Sequence, residues 1–214
     1  MYSNSAKTLS PLKILIFLFL VIWFNTSLCY AIGSIEKLIL DRLSADKKTL
    51  DLSGAKIGSR GAKILAGMSV LSGVETLLLQ GNKIKLSGIK ALSKSPHSAN
   101  LKHLDLWGNM IGDMGLKMLS ESIFIDGLEV LKLWKNEIGD DSLELMVKSS
   151  NFKELKTLML NDNIVTPVGA GYLAHPSVFP LLETLNLFRN EIGDEGALAF
   201  SRSKPFVNLR FFYI

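Results

Sequence analysis

His103 and Asp105 are the residues of this 214-residue chain whose types and spacing come nearest to an active site. One residue separates them in an alternating apolar–polar segment, so both side chains would lie on the same face of a strand. An imidazole beside a carboxylate can act as an acid–base pair or supply two metal ligands. No third ligand accompanies them, because His97 and His175 fall in other parts of the sequence. We therefore predict no catalytic residue, no cofactor and no metal site.

Two tryptophans and the charged residues near them suit binding rather than catalysis. Trp107 and Trp134 lie 27 residues apart, and each follows an alternating segment at the same position. Exposed aromatic side chains ringed by charge are typical of protein-binding hot spots. The alternative is that the indoles only pack across neighbouring strands and stabilise a sheet. The predicted binding residues are Trp107, Trp134, Phe188, Asp105, Lys132, His103, Met159 and Arg189.

The elements that would position these residues follow from a repeat with a period of 27 residues. The unit reads L-x-x-L-x-L-x-x-N-x-I, as in residues 101–111. Its leucines alternate with mostly polar residues, which predicts a short strand with one buried face. Because one unit cannot bury its apolar side alone, stacked units would share a continuous core. The aligned positions are Leu52, Leu79, Leu106, Leu133, Leu160, Leu187 and Ile214.

An asparagine follows the predicted strand in every unit except the first, which has Ala55. Its amide is suited to bond backbone groups of the turn and of the next coil, which a buried turn would otherwise leave open. The predicted ladder consists of Asn82, Asn109, Asn136, Asn163 and Asn190. A helix is expected after each turn, with a polar residue capping its N-terminus. The expected caps are Ser59, Asp113, Asp140 and Asp194.

This unit resembles the leucine-rich repeat, and the resemblance covers residues 47–214. The segment N-E-I-G-D-E-G-A-L-A, residues 190–199, is similar to the pattern of the ribonuclease-inhibitor-like, or GALA-like, subclass. The resemblance implies an α/β fold, a horseshoe-shaped solenoid with a parallel β-sheet on the concave face and helices on the convex face. It also implies protein–protein recognition. The departures from the pattern concern local turns: Ala55, Ser142, Lys85-Leu86 and Thr166-Pro167.

Residues 1–31 are predicted to be a signal peptide. Basic residues precede an apolar run over residues 14–24, and Cys29 and Ala31 place small side chains at the −3 and −1 positions of a cleavage site. An uncleaved membrane anchor is the alternative, because residues 14–34 are uncharged and long enough to span a bilayer. We expect a secreted, periplasmic or cell-envelope protein, or one anchored by a single membrane span.

The remaining chain divides into three predicted parts. Residues 32–46 form an N-terminal capping helix, residues 47–208 form six leucine-rich repeats of 27 residues, and residues 209–214 begin a truncated seventh repeat. The seventh strand would expose an apolar edge, which is a candidate for association with a partner or for continuation in a longer array.

Composition and charge narrow the class of partner. The net charge is +4, from 24 basic and 20 acidic residues without a clustered basic face, so we expect no nucleic acid partner. A membrane is expected only through an uncleaved N-terminal segment. The predicted function is that of an exported, non-enzymatic protein–protein interaction module that binds an unidentified protein through its concave face. The alternatives are a membrane-anchored envelope scaffold and a regulatory protein of the GTPase-activating type known in the same subclass.

Overall fold

The computed structural model describes residues 33–174, 179–202 and 207–214. The predicted signal peptide, residues 1–31, lies outside the described residues.

Seven short strands form one parallel sheet in chain order. Each strand residue pairs with the residue 27 positions later, as Leu50 does with Leu77 and Leu185 with Phe212. One repeat therefore makes one coil of the solenoid, and the sequence period sets the strand register. The strands are β1 (Thr49–Asp51), β2 (Thr76–Leu78), β3 (His103–Asp105), β4 (Val130–Lys132), β5 (Thr157–Met159), β6 (Thr184–Asn186) and β7 (Phe211–Tyr213). This architecture confirms the predicted α/β solenoid.

A helix connects each pair of consecutive strands and packs against the helix of the neighbouring repeat. A further helix, α1, precedes β1 and is helical over residues 33–41. The others are α2 (Gly58–Gly67), α3 (Leu86–Ser93), α4 (Gly112–Ser120), α5 (Asp140–Lys148), α6 (Pro167–Leu173) and α7 (Gly193–Arg202). Short 3₁₀ segments follow three of them, at Ser69–Gly73, Pro96–Ser98 and Ser150–Phe152.

One continuous hydrophobic core lies between the sheet and the helices. The central leucine of each of the first six strands is buried, and so is the leucine two residues after it. Helix residues such as Leu65, Leu116 and Leu143 complete this core. The residues that flank each central leucine point to the opposite side of the sheet. We call that side the concave face.

The asparagine ladder connects each coil to the one before it. Asn82 Nδ2 donates to the carbonyls of Leu52 at 2.7 Å and Leu79 at 2.9 Å, and its Oδ1 accepts the Ile57 N–H at 3.2 Å. The sequence suggested the next coil, whereas the side chain reaches the preceding one. Asn136 differs, because its Oδ1 accepts no hydrogen bond from any described residue. The same contacts with the preceding coil are made by Asn109, Asn163 and Asn190.

Three of the four expected helix caps, Ser59, Asp113 and Asp140, act on the following repeat instead of on their own helix. Each side chain accepts a hydrogen bond from the backbone N–H of the residue that precedes the next helix, at 2.8–2.9 Å. The prediction of local capping was therefore wrong for these residues, because the stacked coils bring the next helix within reach. The bonds join Ser59 to Lys85, Asp113 to Gly139 and Asp140 to Thr166.

The helix starts fall into two backbone classes that follow these bonds. Where the preceding coil supplies the acceptor, the residue before the helix is extended, with φ of −106°, −114° and −99° for α3, α5 and α6. In two other repeats the preceding coil has Leu86 or Pro167 at the position of the acceptor. The following helices, α4 and α7, then begin at Gly112 and Gly193, both with φ of +58°. The residue before a helix is therefore extended when a side chain of the preceding coil accepts its N–H.

A row of alternating charges, the charge ladder, lines the edge at which the strands begin. Lys48 Nζ lies 2.8 Å from Glu75 Oε1, and Lys156 Nζ lies 2.6 Å from Glu129 Oε2. These hydrogen bonds lower the pKa of both glutamates and raise the pKa of both lysines. Lys102 Nζ, on the next coil, lies 3.9 Å from Glu75 Oε2. The ladder is Lys48, Glu75, Lys102, Glu129, Lys156, Glu183 and Arg210.

Candidate functional site

Trp107 and Trp134 lie side by side just after β3 and β4. Their ring centroids are 4.8 Å apart and their planes differ by 21°, so the indoles are stacked. The parallel pairing of β3 with β4 produces this contact, since it places equivalent residues of two coils next to each other. Both side chains nevertheless remain partly in solvent, with 41% and 37% of their surface exposed. The pair therefore packs across the sheet and also leaves aromatic surface exposed to solvent.

Asp105 is buried beneath this pair and organises the groups around it. Its Oδ1 accepts the backbone N–H of Trp107 at 3.0 Å, and its Oδ2 lies 3.5 Å from Lys132 Nζ. The carboxylate therefore fixes the turn that carries Trp107. Because Lys132 pairs with it, the negative charge beneath the indoles is balanced on the concave face.

His103 lies on the same strand but is not held by this carboxylate. The hydrogen bond and ion pair of Asp105 go to Trp107 and Lys132. Burial lowers the pKa of His103 below its usual 6.5, with Lys132 acting in the same direction and Asp105 opposing both. The imidazole is therefore neutral at pH 7. Its Nε2 has no hydrogen-bond partner among the described residues.

Asp162 is a site residue that sequence reasoning missed. Its Oδ2 accepts the Trp134 indole N–H at 2.6 Å, and its Oδ1 lies 3.5 Å from Arg189 Nη1. The Arg189 guanidinium lies over the Phe188 ring at 5.5 Å from the centroid. Asp162 therefore links Trp134 to the predicted residues of the sixth repeat. The signal that would have found it is its alignment with Arg189, 27 residues later.

A depression of about 460 Å³ opens on the concave face beside the tryptophans. The structure brings five of the eight predicted binding residues to its walls. His103, Phe188 and Arg189 do not line it. Amide side chains form much of the remaining wall, so the depression combines aromatic surface with hydrogen-bonding groups. The lining residues are Gln80, Asp105, Trp107, Lys132, Trp134, Met159, Asn161 and Asn186.

Neither a metal-binding cluster nor a membrane-spanning helix is found among the described residues. No group of three or more His, Cys, Asp or Glu side chains in residues 33–174, 179–202 and 207–214 is arranged to hold a metal ion. Within the same residues, no helix is both long and apolar enough to cross a membrane.

Comparisons with known proteins agree with the repeat seen in the sheet. The family model described as a leucine rich repeat matches residues 48–66, 97–120 and 180–201, and each match contains a strand, its turn and the start of a helix. The chain is also similar to the crystal structure of an internalin from Listeria monocytogenes, with 23% sequence identity and a TM-score of 0.45. That similarity covers 68% of this chain and 37% of the internalin chain. No functionally curated protein matches the sequence. The repeat matches, the 27-residue period and the sheet with one strand per repeat show that the chain is built from leucine-rich repeats.

Proposed function

We propose that this chain is a non-enzymatic protein–protein interaction module that binds a partner protein on its concave face. The observation that carries the proposal is the stacked, partly exposed pair of Trp107 and Trp134 beside the depression. Tryptophans at the centre of an interface commonly supply much of the binding free energy, because they bury a large, rigid apolar surface.

The Trp134 indole and the Trp107 backbone are held in place before any partner arrives. The Trp134 N–H is bonded to Asp162, and the backbone of Trp107 is bonded to buried Asp105. A surface that is already ordered loses less conformational entropy on association, which favours tight binding. This preorganisation supports recognition by the pair more strongly than exposure alone would.

Variation among the coils also supports recognition at this face. The buried leucines recur in the first six coils, whereas the residue after the second leucine is of five different types in these six coils. Stacked repeats create an extended surface on which variable positions specify the partner. That variable column is Ser53, Gln80, Trp107, Trp134, Asn161 and Phe188.

We also propose that the chain is exported and that its repeats belong to the ribonuclease-inhibitor-like subclass. A basic segment, the apolar run over residues 14–24 and small residues before position 32 support a signal peptide, and hence a secreted or cell-envelope location. An α-helix in each of the six repeats supports the ribonuclease-inhibitor-like subclass.

The test compares partner capture by the wild-type chain with capture by the double variant Trp107→Ala/Trp134→Ala. The matched control is Ile123→Ala/Val168→Ala, which removes two exposed apolar side chains elsewhere, 81% and 57% exposed. We expect the tryptophan variant to lose the proteins that wild type and control both retain, with unchanged circular dichroism. Undiminished capture by the tryptophan variant would refute the proposal.

A further inference from the structure

The charges of the chain are unevenly distributed along the stack of coils. Residues 52–104 contain eight Lys or Arg and a single acidic residue, Glu75. Residues 105–214 contain ten Lys or Arg and fifteen Asp or Glu. The totals of 24 basic and 20 acidic residues conceal this separation, and the expected absence of a clustered basic face is wrong for the first coils.

Seven exposed cations of the first coils form one surface, which we call the basic face. Part of it lies in the turns after β1 and β2, where Lys56 and Lys83 occupy equivalent positions of neighbouring coils. The Ser59 hydroxyl accepts the Lys85 N–H at 2.9 Å, so the turn after β2 also contacts the start of α2. The basic face consists of Lys56, Arg60, Lys63, Lys83, Lys85, Lys90 and Lys94.

The rest of the basic face lies at exposed positions of α2 and α3, two helices that pack together. Lys63 and Lys90 are equivalent residues of these helices, and Lys94 follows Lys90 by four residues at the end of α3. Like charges at this spacing repel each other. At the two equivalent positions, α4 has the ion pair of Lys117 with Glu121, 3.8 Å apart. Two lysines on α3 thus replace an ion pair on the next helix.

The neighbouring carboxylates do not neutralise the basic face. Its six lysines form no ion pair with any described residue. Glu75 is held by Lys48 at 2.8 Å, and Asp113 on α4 accepts hydrogen bonds from the following coil. Residues 33–42, which precede the basic face, carry two acidic and two basic residues. The positive charge of these lysines is therefore left for an external anion.

The side chains around these cations narrow the class of that anion. Residues 52–104 contain no Phe, Tyr or Trp, so no aromatic ring is present on which nucleic acid bases could stack. Leu86, 37% exposed, is the one exposed large apolar side chain in that segment, whereas a protein interface normally has an apolar centre. Six of the seven cations are lysines, which act as point charges without the fixed planar geometry of arginine. These features favour a hydrated anionic polymer without bases or apolar groups.

We propose that the basic face binds an anionic polysaccharide, a chain of sugars that carries carboxylate or sulfate groups. Successive anionic groups of the polymer contact the lysines of the turns and those of α2 and α3. Such binding releases counterions from the polymer and is weakened by salt. The inference does not depend on the partner of the concave face, and it adds a second ligand of different chemistry.

The test measures the affinity of the whole chain for dextran sulfate at low salt, with uncharged dextran as the reference polymer. Lys63→Gln/Lys90→Gln removes two charges from the helical part of the basic face. The matched control, Lys135→Gln/Lys153→Gln, removes two exposed lysines of later coils that also lack an ion pair among the described residues. Both variants lower the net charge equally, so the position of the lysines alone distinguishes them.

We expect dextran sulfate to bind, uncharged dextran not to bind, and the affinity to fall as salt is raised. Lys63→Gln/Lys90→Gln should weaken binding by about fivefold or more and reduce its salt dependence, with unchanged circular dichroism. Lys56→Gln/Lys83→Gln, in the turns, should have a similar effect, whereas the control should change the affinity by less than about twofold.

Three results would overturn the inference. The first is an equal loss of affinity in the control and in the variants of the basic face, which would indicate attraction by net charge alone. The second is binding of uncharged dextran as tight as that of dextran sulfate. The third is tighter binding of single-stranded DNA or of polyglutamate than of dextran sulfate at equal concentrations of anionic groups. That result would assign the basic face to a nucleic acid or to an acidic protein.

Discussion

At the scale of single residues, glycines at the helix starts have two different backbone conformations. Gly112 opens α4 with φ of +58°, whereas Gly139 precedes α5 with an extended backbone that any residue can adopt. A Cβ at Gly112 would meet open space, so the backbone alone decides the effect of a substitution there. A Cβ at Gly139 would lie 3.2 Å from Asp113 Oδ2, so this carboxylate would have to shift by a few tenths of an ångström.

Alanine substitutions should separate these two glycines. We expect Gly112→Ala to lower the free energy of unfolding by about 1–2 kcal/mol, because alanine is strained in the left-handed region. Gly139→Ala should cost less than about 1 kcal/mol, since the extended backbone suits alanine and the substitution restricts the unfolded chain. Urea titrations of both variants measure the difference. Equal costs would show that the backbone difference between the two helix starts is energetically unimportant.

At the scale of elements, neighbouring coils are joined by side chains that cap the next helix. Asp113 accepts hydrogen bonds from both the Gly139 N–H at 2.8 Å and the Ser142 hydroxyl at 2.6 Å. The bonds therefore attach the start of α5 to the fourth helix. Their loss would leave the Gly139 N–H without its acceptor in a half-buried position.

Asp113→Ala should therefore destabilise the chain by about 1–2 kcal/mol, the usual cost of a lost helix cap. Asp141→Ala is the control, since it removes an exposed carboxylate in the first turn of α5. The control should change the free energy of unfolding by less than about 0.5 kcal/mol. Chemical denaturation measures both, and equal effects would contradict a bond between coils at Asp113.

At the scale of the whole molecule, the charge ladder crosses the entire sheet and makes its stability depend on pH. The pKa values of Glu75 and Glu129 are lowered by hydrogen bonds to lysines, so their contribution is present above the unfolded value of about 4.5. It is lost as pH falls through the folded pKa. Lys48 and Lys156 have raised pKa values, so their contribution holds below about 10.5 and is lost as pH rises through the folded pKa.

Glu129→Gln should lower the thermal midpoint by about 1–2 °C at pH 7 and low salt, because it breaks the pair with Lys156. The difference from wild type should shrink as the pH falls below about 4.5 and through the lowered pKa of Glu129. It should also shrink in 1 M salt, about the concentration at which screening becomes nearly complete. Glu137→Gln, at an exposed glutamate without an ion pair among the described residues, should show neither effect. A difference that is unchanged by both acid and 1 M salt would exclude the ion pair as its cause.

The sequence predicts the course of the chain well, because each repeat makes one coil and its leucines mark the strands. It predicts Trp107 next to Trp134 for the same reason. It does not predict the role of Asp162, nor that Asp113 caps the helix of the following repeat and not its own helix. Both contacts depend on how far a side chain of one coil extends toward the neighbouring coil. The charge ladder is visible in the sequence as basic and acidic residues that alternate at 27-residue spacing. It lies outside the leucine and asparagine positions that define the repeat, and those positions alone do not reveal it.

Hydroxyl-radical footprinting of the chain with its captured partner would report whether the partner covers the concave face at the tryptophan pair. Side-chain oxidation of Trp107, Trp134 and Met159 should fall on binding. Met114, on α4 and 51% exposed, is the internal control and should be oxidised equally in both states. Protection of Met114 with unchanged oxidation of the two tryptophans would place the partner on the helices and contradict the account.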